Sequence, residues 1–138
     1  LMYLAEKSQK FLSNDPRLKS ETLQWLFFQM AGVGPMFGQF GHFHKYAPEK
    51  IPYAMERYKK ETQRLLSVLD TRLQGRSYLV GNEYSIADMA TAPWVICLDE
   101  FYEAKEILGL SEFENVTSWV NRVIARPKTA KGRKVCAV

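Results

Sequence analysis

The stretch Tyr84-Ser85-Ile86-Ala87-Asp88-Met89-Ala90-Thr91-Ala92-Pro93-Trp94 reads as a capped helix start running into a proline-bent apolar helix. Ser85 suits the N-cap, its hydroxyl accepting from the backbone N–H of Asp88, while the Asp88 carboxylate reaches back to the N–H of Ser85. Tyr84 before the cap and Met89 beyond it are placed as a hydrophobic staple. Aspartate is shorter than the usual Glu or Gln, which fits a tight box in a sheltered place. Between Ile86 and Leu98 only Asp88 is charged and only Thr91 is otherwise polar. A helix apolar nearly all round belongs at the centre of its domain, and the remaining elements must wrap it.

Outward from that helix, Ser13-Asn14-Asp15-Pro16 breaks an opening amphipathic segment that carries Leu1, Leu4 and Phe11. Asp15 is a good N-cap and Pro16 a good first helical residue, so a new helix starts there. Its apolar stripe runs through Leu18, Trp25, Leu26 and Met30 and is widened by Leu23, Phe27 and Phe28. Ala31-Gly32-Val33-Gly34-Pro35 predicts a kink or short break, since two glycines and a proline oppose a helix interior. Helical character resumes through Met36, Phe40 and Phe43. The longest amphipathic helix is expected from Pro48 to Leu73, on Ile51, Met55, Tyr58, Thr62, Leu65, Leu69 and Leu73, with Gln74-Gly75 closing it. A weaker helix follows around Asp99 to Leu108, stopped by Gly109. Ser111-Glu112-Phe113-Glu114 reads as a second capping box, ahead of a stripe of Val116, Trp119, Val120 and Val123 that Arg126-Pro127 ends. No alternating strand, repeat or low-complexity segment is visible, so the fold class is all-α.

The 138 residues, 46% hydrophobic and 13% aromatic, suffice for one core and not for two ordinary domains. A net charge of +4 is mild, and its one local concentration is the tail Lys128, Lys131, Arg133 and Lys134. A short basic end reads as a solvated tail, so neither nucleic acid nor a membrane is expected as partner. Cys97 and Cys136 are far apart and lack zinc spacing, which predicts reduced thiols and a cytoplasmic protein. His42 and His44 point to different sides of a helix, so no metal site is expected. No phosphate loop is present, and no local nucleophile motif. The opening Leu1 to Lys7 reads as a helix already under way and predicts a piece of a longer chain.

Two features have a binding character. The set Trp25, Phe28, Met36, Phe40 and Phe43 can line an apolar pocket or fill a core, with Met36 and Phe40 the candidate substrate-pocket residues. Arg57 lies beside the apolar stripe of the long helix, where its plain alternative is an exposed ion pair with Glu61 one turn on.

Together, Gln24 to Gln29, Gly34-Pro35-Met36-Phe37-Gly38-Gln39, Ala47-Pro48, Tyr53-Ala54-Met55-Glu56-Arg57-Tyr58, Tyr84 to Asp88, Trp119 and Arg126-Pro127 resemble the bacterial glutathione transferases of the disulfide-bond reductase type, the Nu class. The same run is similar, more distantly, to the nitrogen-catabolite repressor prion protein of yeast. The resemblance implies the C-terminal helical bundle of a glutathione S-transferase. Residues 1–12 would then be the last helix and linker of a mostly absent thioredoxin-like domain, and 13–138 the helical domain. It also implies glutathione as substrate or co-substrate, a small thiol or electrophile as second substrate, no metal, and a homodimer. The thiol-activating residue and the Glu-Ser pair that holds the γ-glutamyl group would precede Leu1, so no catalytic residue falls in this chain and the isolated segment is expected to be inactive. Arg57, in the Glu-Arg-Tyr triplet, is the glutathione contact that maps onto it. The alternative is a non-catalytic relative that uses the fold for dimerisation or regulatory binding.

Overall fold

The computed structural model describes residues 1–135. Eight α-helices, α1 Met2–Ser8, α2 Pro16–Phe28, α3 Gly34–Gly41, α4 Pro52–Leu73, α5 Ile86–Glu100, α6 Lys105–Leu108, α7 Glu114–Ile124 and α8 Pro127–Gly132, make up the bundle, with no strand among the described residues. Helix α5 is its axis and packs against α2, α3 and α7. Its residues Ile86, Ala87, Asp88, Thr91, Ala92, Val95, Ile96 and Leu98 are buried. Around it close Phe37 from α3, Leu65, Leu66, Leu69 and Leu73 from α4, and Val116, Trp119 and Val123 from α7. The expected α7 stripe is therefore the one that enters the core, with Val120 packed at its edge.

The cap at the start of α5 forms and does more than a local box. The Asp88 Oδ2 accepts from the Ser85 N–H at 2.9 Å and the Ser85 hydroxyl at 3.0 Å. Its Oδ1 accepts from the Leu79 N–H at 2.9 Å and from the Trp119 indole Nε1 at 2.8 Å. One fully buried carboxylate thus ties the 77–85 loop and α7 to the head of the central helix. Asp15 caps α2 as expected, accepting from the Leu18 N–H at 2.9 Å, with Pro16 behind it.

Four expectations are corrected. The Ala31–Pro35 stretch does not break the chain: α2 continues through a wide π turn, Gln29–Val33, into α3 and through a second, His42–Tyr46, all in right-handed backbone. The π turn leaves Pro35 in the first turn of α3, where a proline is tolerated, and tertiary packing overrides glycine's low propensity. A β-carbon at Gly34 would lie 2.9 Å from the Gln29 side-chain nitrogen and 3.3 Å from the Trp94 ring, so the glycine admits both the Gln29 amide and the Trp94 face of α5. The long helix starts at Pro52 rather than Pro48, because the proline holds Ile51 extended at φ −105°. The Ser111 box does not form; Ser111 sits in a 3₁₀ turn, Leu110–Glu112, and α7 begins at Glu114 without a side-chain cap of its own. Asp70 of α4 does that work, its Oδ1 accepting from the N–H groups of Asn115 at 2.9 Å and Val116 at 3.1 Å. Past Pro127 the chain is likewise not a free tail: it forms α8, whose end is pinned by an Arg133–Glu100 ion pair at 2.6 Å. Cys97 is a half-buried free thiol, while Cys136 lies outside the described residues.

A close approach fixes the far end of α3 against the end of α5. A β-carbon at Gly41 would fall 2.3 to 2.6 Å from three atoms of the Tyr102 ring. Gly41→Ala is therefore expected to cost about 1–3 kcal/mol through overpacking, with most of the loss absent in a Tyr102→Ala background. Urea titration of the four proteins in that cycle measures it; additive losses would mean that the ring yields without strain.

Candidate functional site

Helix α4 presents Tyr53, Arg57, Lys60 and Arg64 along one stripe, at steps of four, three and four residues. Facing it, α3 supplies Met36. These residues, with Glu56, Tyr58 and Glu61, line an open hollow of about 660 Å³. The Tyr58 ring stacks on Phe43, centroids 5.4 Å apart, which fixes its wall against the second π turn.

The charges in the hollow pair off unevenly. Glu61 takes the Arg64 guanidinium in a two-point fork, both contacts 2.8 Å, and this hydrogen bond holds the Glu61 carboxyl below its ordinary range. Lys60 meets Glu56 at 3.2 Å. Among the described residues Arg57 has neither a hydrogen bond nor an ion pair, so the lining retains one uncommitted guanidinium. The Arg57–Glu61 pair, the plain alternative to a binding role, does not form, and Glu61 pairs with Arg64 instead. The reason is orientation: an acid placed N-terminal to its base on a helix is favoured over the reverse.

Met36 faces this hollow, but Phe40 does not. Phe40 is 2% exposed in the core, its ring stacked on His44 at 5.2 Å. Trp25 and Phe28 pack edge to face on each other and lie against the core rim. His44, partly desolvated and beside Lys50 and Lys45, is held below its usual pKa, while His42 is exposed. No cluster of His, Cys, Asp and Glu able to hold a metal occurs among the described residues. No described helix is long and apolar enough to cross a membrane. Of the residues singled out in the sequence, Arg57 and Met36 line this hollow; Tyr53, Lys60 and Arg64, at helical spacing from Arg57, line it as well and were passed over. The lining offers a fork-shaped cation, phenols and an apolar wall, and holds neither thiol nor aliphatic hydroxyl. It can bind and orient an anion.

Comparison with known proteins places the chain in a family. The family "Glutathione S-transferase, C-terminal domain" matches residues 22–127. The Escherichia coli disulfide-bond oxidoreductase YfcG is 47% identical over 131 residues, covering 95% of this chain and 59% of that protein. YghU of the same organism, also a disulfide-bond oxidoreductase, is 42% identical over 137 residues, 98% of this chain and 48% of its own length. The chain thus spans about half the length of the curated relatives it matches. A glutathione transferase from Pseudomonas putida, solved with one glutathione disulfide bound per subunit, superposes with a TM-score of 0.96 at 45% identity, covering 99% of this chain and 60% of that one. An all-helical bundle hung on a buried Ser-x-x-Asp cap, matched over most of its length by that family, belongs to the glutathione S-transferase C-terminal domain family.

Proposed function

We propose that this chain is the helical half of a glutathione-dependent transferase or disulfide-bond reductase, closing the glutathione and electrophile site from the α3–α4 side. The observation that carries the reading is the uncommitted Arg57 guanidinium in the α4 hollow. Glutathione brings two carboxylates, and a guanidinium offers a carboxylate two parallel N–H donors where an ammonium offers a point charge. Met36 supplies an apolar wall for the sulfur side or the second substrate. The names of the relatives, disulfide-bond oxidoreductases and a transferase holding glutathione disulfide, support the same ligand class.

On this reading residues 1–12 are the end of a thioredoxin-like domain that supplies the thiol-activating group, and 13–138 are the helical domain. Leu1, Met2, Tyr3 and Leu4 of α1 are 40 to 69% exposed, an apolar surface that such a domain would cover. Phe27 and Met30, one turn apart and both more than 60% exposed, support a homodimer through the outer face of α2. A reducing cytoplasmic setting suits the Cys97 thiol.

The test is binding by the full-length protein that contains this chain. Arg57→Ala is expected to weaken glutathione or glutathione-disulfide binding by about 1.5–3 kcal/mol, tenfold or more, with folding stability changed by well under 1 kcal/mol. Arg57→Lys should restore part of the loss. Isothermal titration of the three proteins decides it, and equal affinities would return Arg57 to the solvated face of α4.

A further inference from the structure

Arg57 has one acid within helical reach. The positions three and four residues to either side of it on α4 hold Tyr53, Ala54, Lys60 and Glu61, so of its helical neighbours only Glu61 can take its charge. Glu56 is engaged by Lys60 at 3.2 Å, and Met36, Tyr53 and Tyr58 bring no carboxylate to the lining. Glu61 therefore stands between two guanidiniums, Arg57 one turn before it and Arg64 three residues after. Arg64 takes both of its oxygens at 2.8 Å. The depressed Glu61 carboxyl owes most to that hydrogen bond and least to the charge of Arg57.

The two pairings compete. A carboxylate that gives both oxygens to one planar fork is turned toward that fork, away from a second cation on its other side. With side chains 58% and 33% exposed, the Arg64–Glu61 pair contributes little to the stability of the bundle. What it decides is where the Glu61 charge points.

We propose that Arg64 is a positioning residue for the hollow: by occupying Glu61 it keeps the Arg57 guanidinium open to an anionic ligand. The inference rests on the ligand reading above and adds to it a residue that acts without touching the ligand. Without Arg64, Glu61 turns back to Arg57 as a pair one turn apart, and an arriving carboxylate must displace it. The hollow then also carries an uncompensated negative charge beside a ligand of the same sign. Arg64 prevents both, since it neutralises Glu61 and aims it away.

The experiment measures binding of glutathione disulfide to the full-length protein that contains this chain, by isothermal titration, with thermal unfolding of each variant alongside. Arg64→Ala is expected to bind about threefold more weakly, about twofold from the recaptured pair and the rest from the added charge. Glu61→Gln/Arg64→Ala keeps the net charge of the wild-type pair and has no acid to capture Arg57, so it should bind like wild type. Glu61→Gln alone should bind at least as tightly as wild type. If Arg64 touched the ligand, or served only the fold, the double variant would stay as weak as Arg64→Ala, and the inference would be overturned. A weakened Glu61→Gln, or an Arg64→Ala that binds like wild type, overturns it too. Arg57→Ala separates this from the ligand reading: wild-type affinity there removes both, whereas a weakened Arg57→Ala beside an unchanged Arg64→Ala removes the positioning role alone.

Discussion

Asp88→Ala is expected to destabilise the bundle by about 3–5 kcal/mol, well beyond the roughly 1–2 kcal/mol of a helix cap alone. The carboxylate is fully buried and serves donors from three places in the chain: Leu79, Ser85 and Trp119. Its removal leaves the Leu79 and Ser85 N–H groups and the Trp119 indole N–H without acceptors, each a cost of about 1–3 kcal/mol before relaxation. Asp88→Asn keeps the shape but turns an amide NH₂ toward one pair of donors, so it should recover little. Ser85→Ala removes one donor and one acceptor together and is expected to cost about 1–2 kcal/mol, less than additively with Asp88→Ala. Urea unfolding of wild type and the four variants measures the set. A loss below about 1 kcal/mol for Asp88→Ala would show that water reaches the freed donors, and the carboxylate would no longer be the tie between loop, α5 and α7.

What the sequence disclosed and what it hid divide by distance along the chain. The Ser85–Asp88 box, the Asp15 cap with Pro16, and the stops at Gly75 and Gly109, at φ 69° and 64°, are decided within a turn of helix, and all four were readable. The Asp88 contacts to Leu79 and Trp119 span 9 and 31 residues, and no local rule reaches that far. The Ala31–Pro35 stretch misled for a related reason. Its composition opposes a helix, yet the space at Gly34 is bounded by Gln29 and by Trp94, a partner sixty residues on, and packing outweighs propensity.

The site divides in the same way. Arg57 was identifiable from its place on the α4 stripe and from the triplet it sits in. That it is free follows from Glu61 choosing Arg64, a choice the orientation rule for helical pairs favours and spacing alone leaves open. Phe40 and Met36 share a face by periodicity, and only the packing of α3 against α4 and α5 sends the first into the core and leaves the second in the hollow. An aromatic residue at helical spacing does not declare which side of a two-faced helix it serves.

Asp70→Ala is expected to cost about 2–3 kcal/mol, and Ser111→Ala almost nothing, which reverses what the sequence around Ser111 advertises. Asp70, in the last turn of α4, is the acceptor for the first turn of α7. Its Oδ1 takes the Asn115 and Val116 N–H groups and its Oδ2 takes the Asn115 side-chain Nδ2 at 2.8 Å. A carboxylate facing a helix N-terminus gains from both the hydrogen bonds and the dipole, and here it joins two helices rather than closing one. Asp70→Asn should retain the backbone contacts through its Oδ1 and lose about half the effect, since the amide cannot accept from Asn115 Nδ2 on its other side. Because α7 carries Trp119, the loss should couple to that of Asp88: the Asp70→Ala/Asp88→Ala double variant is expected to lose less than the sum of the two. Chemical unfolding reads the stabilities and amide exchange at Asn115 and Val116 reads the cap. Equal stability of Asp70→Ala and wild type, with Ser111→Ala destabilised instead, would return the cap of α7 to the local box.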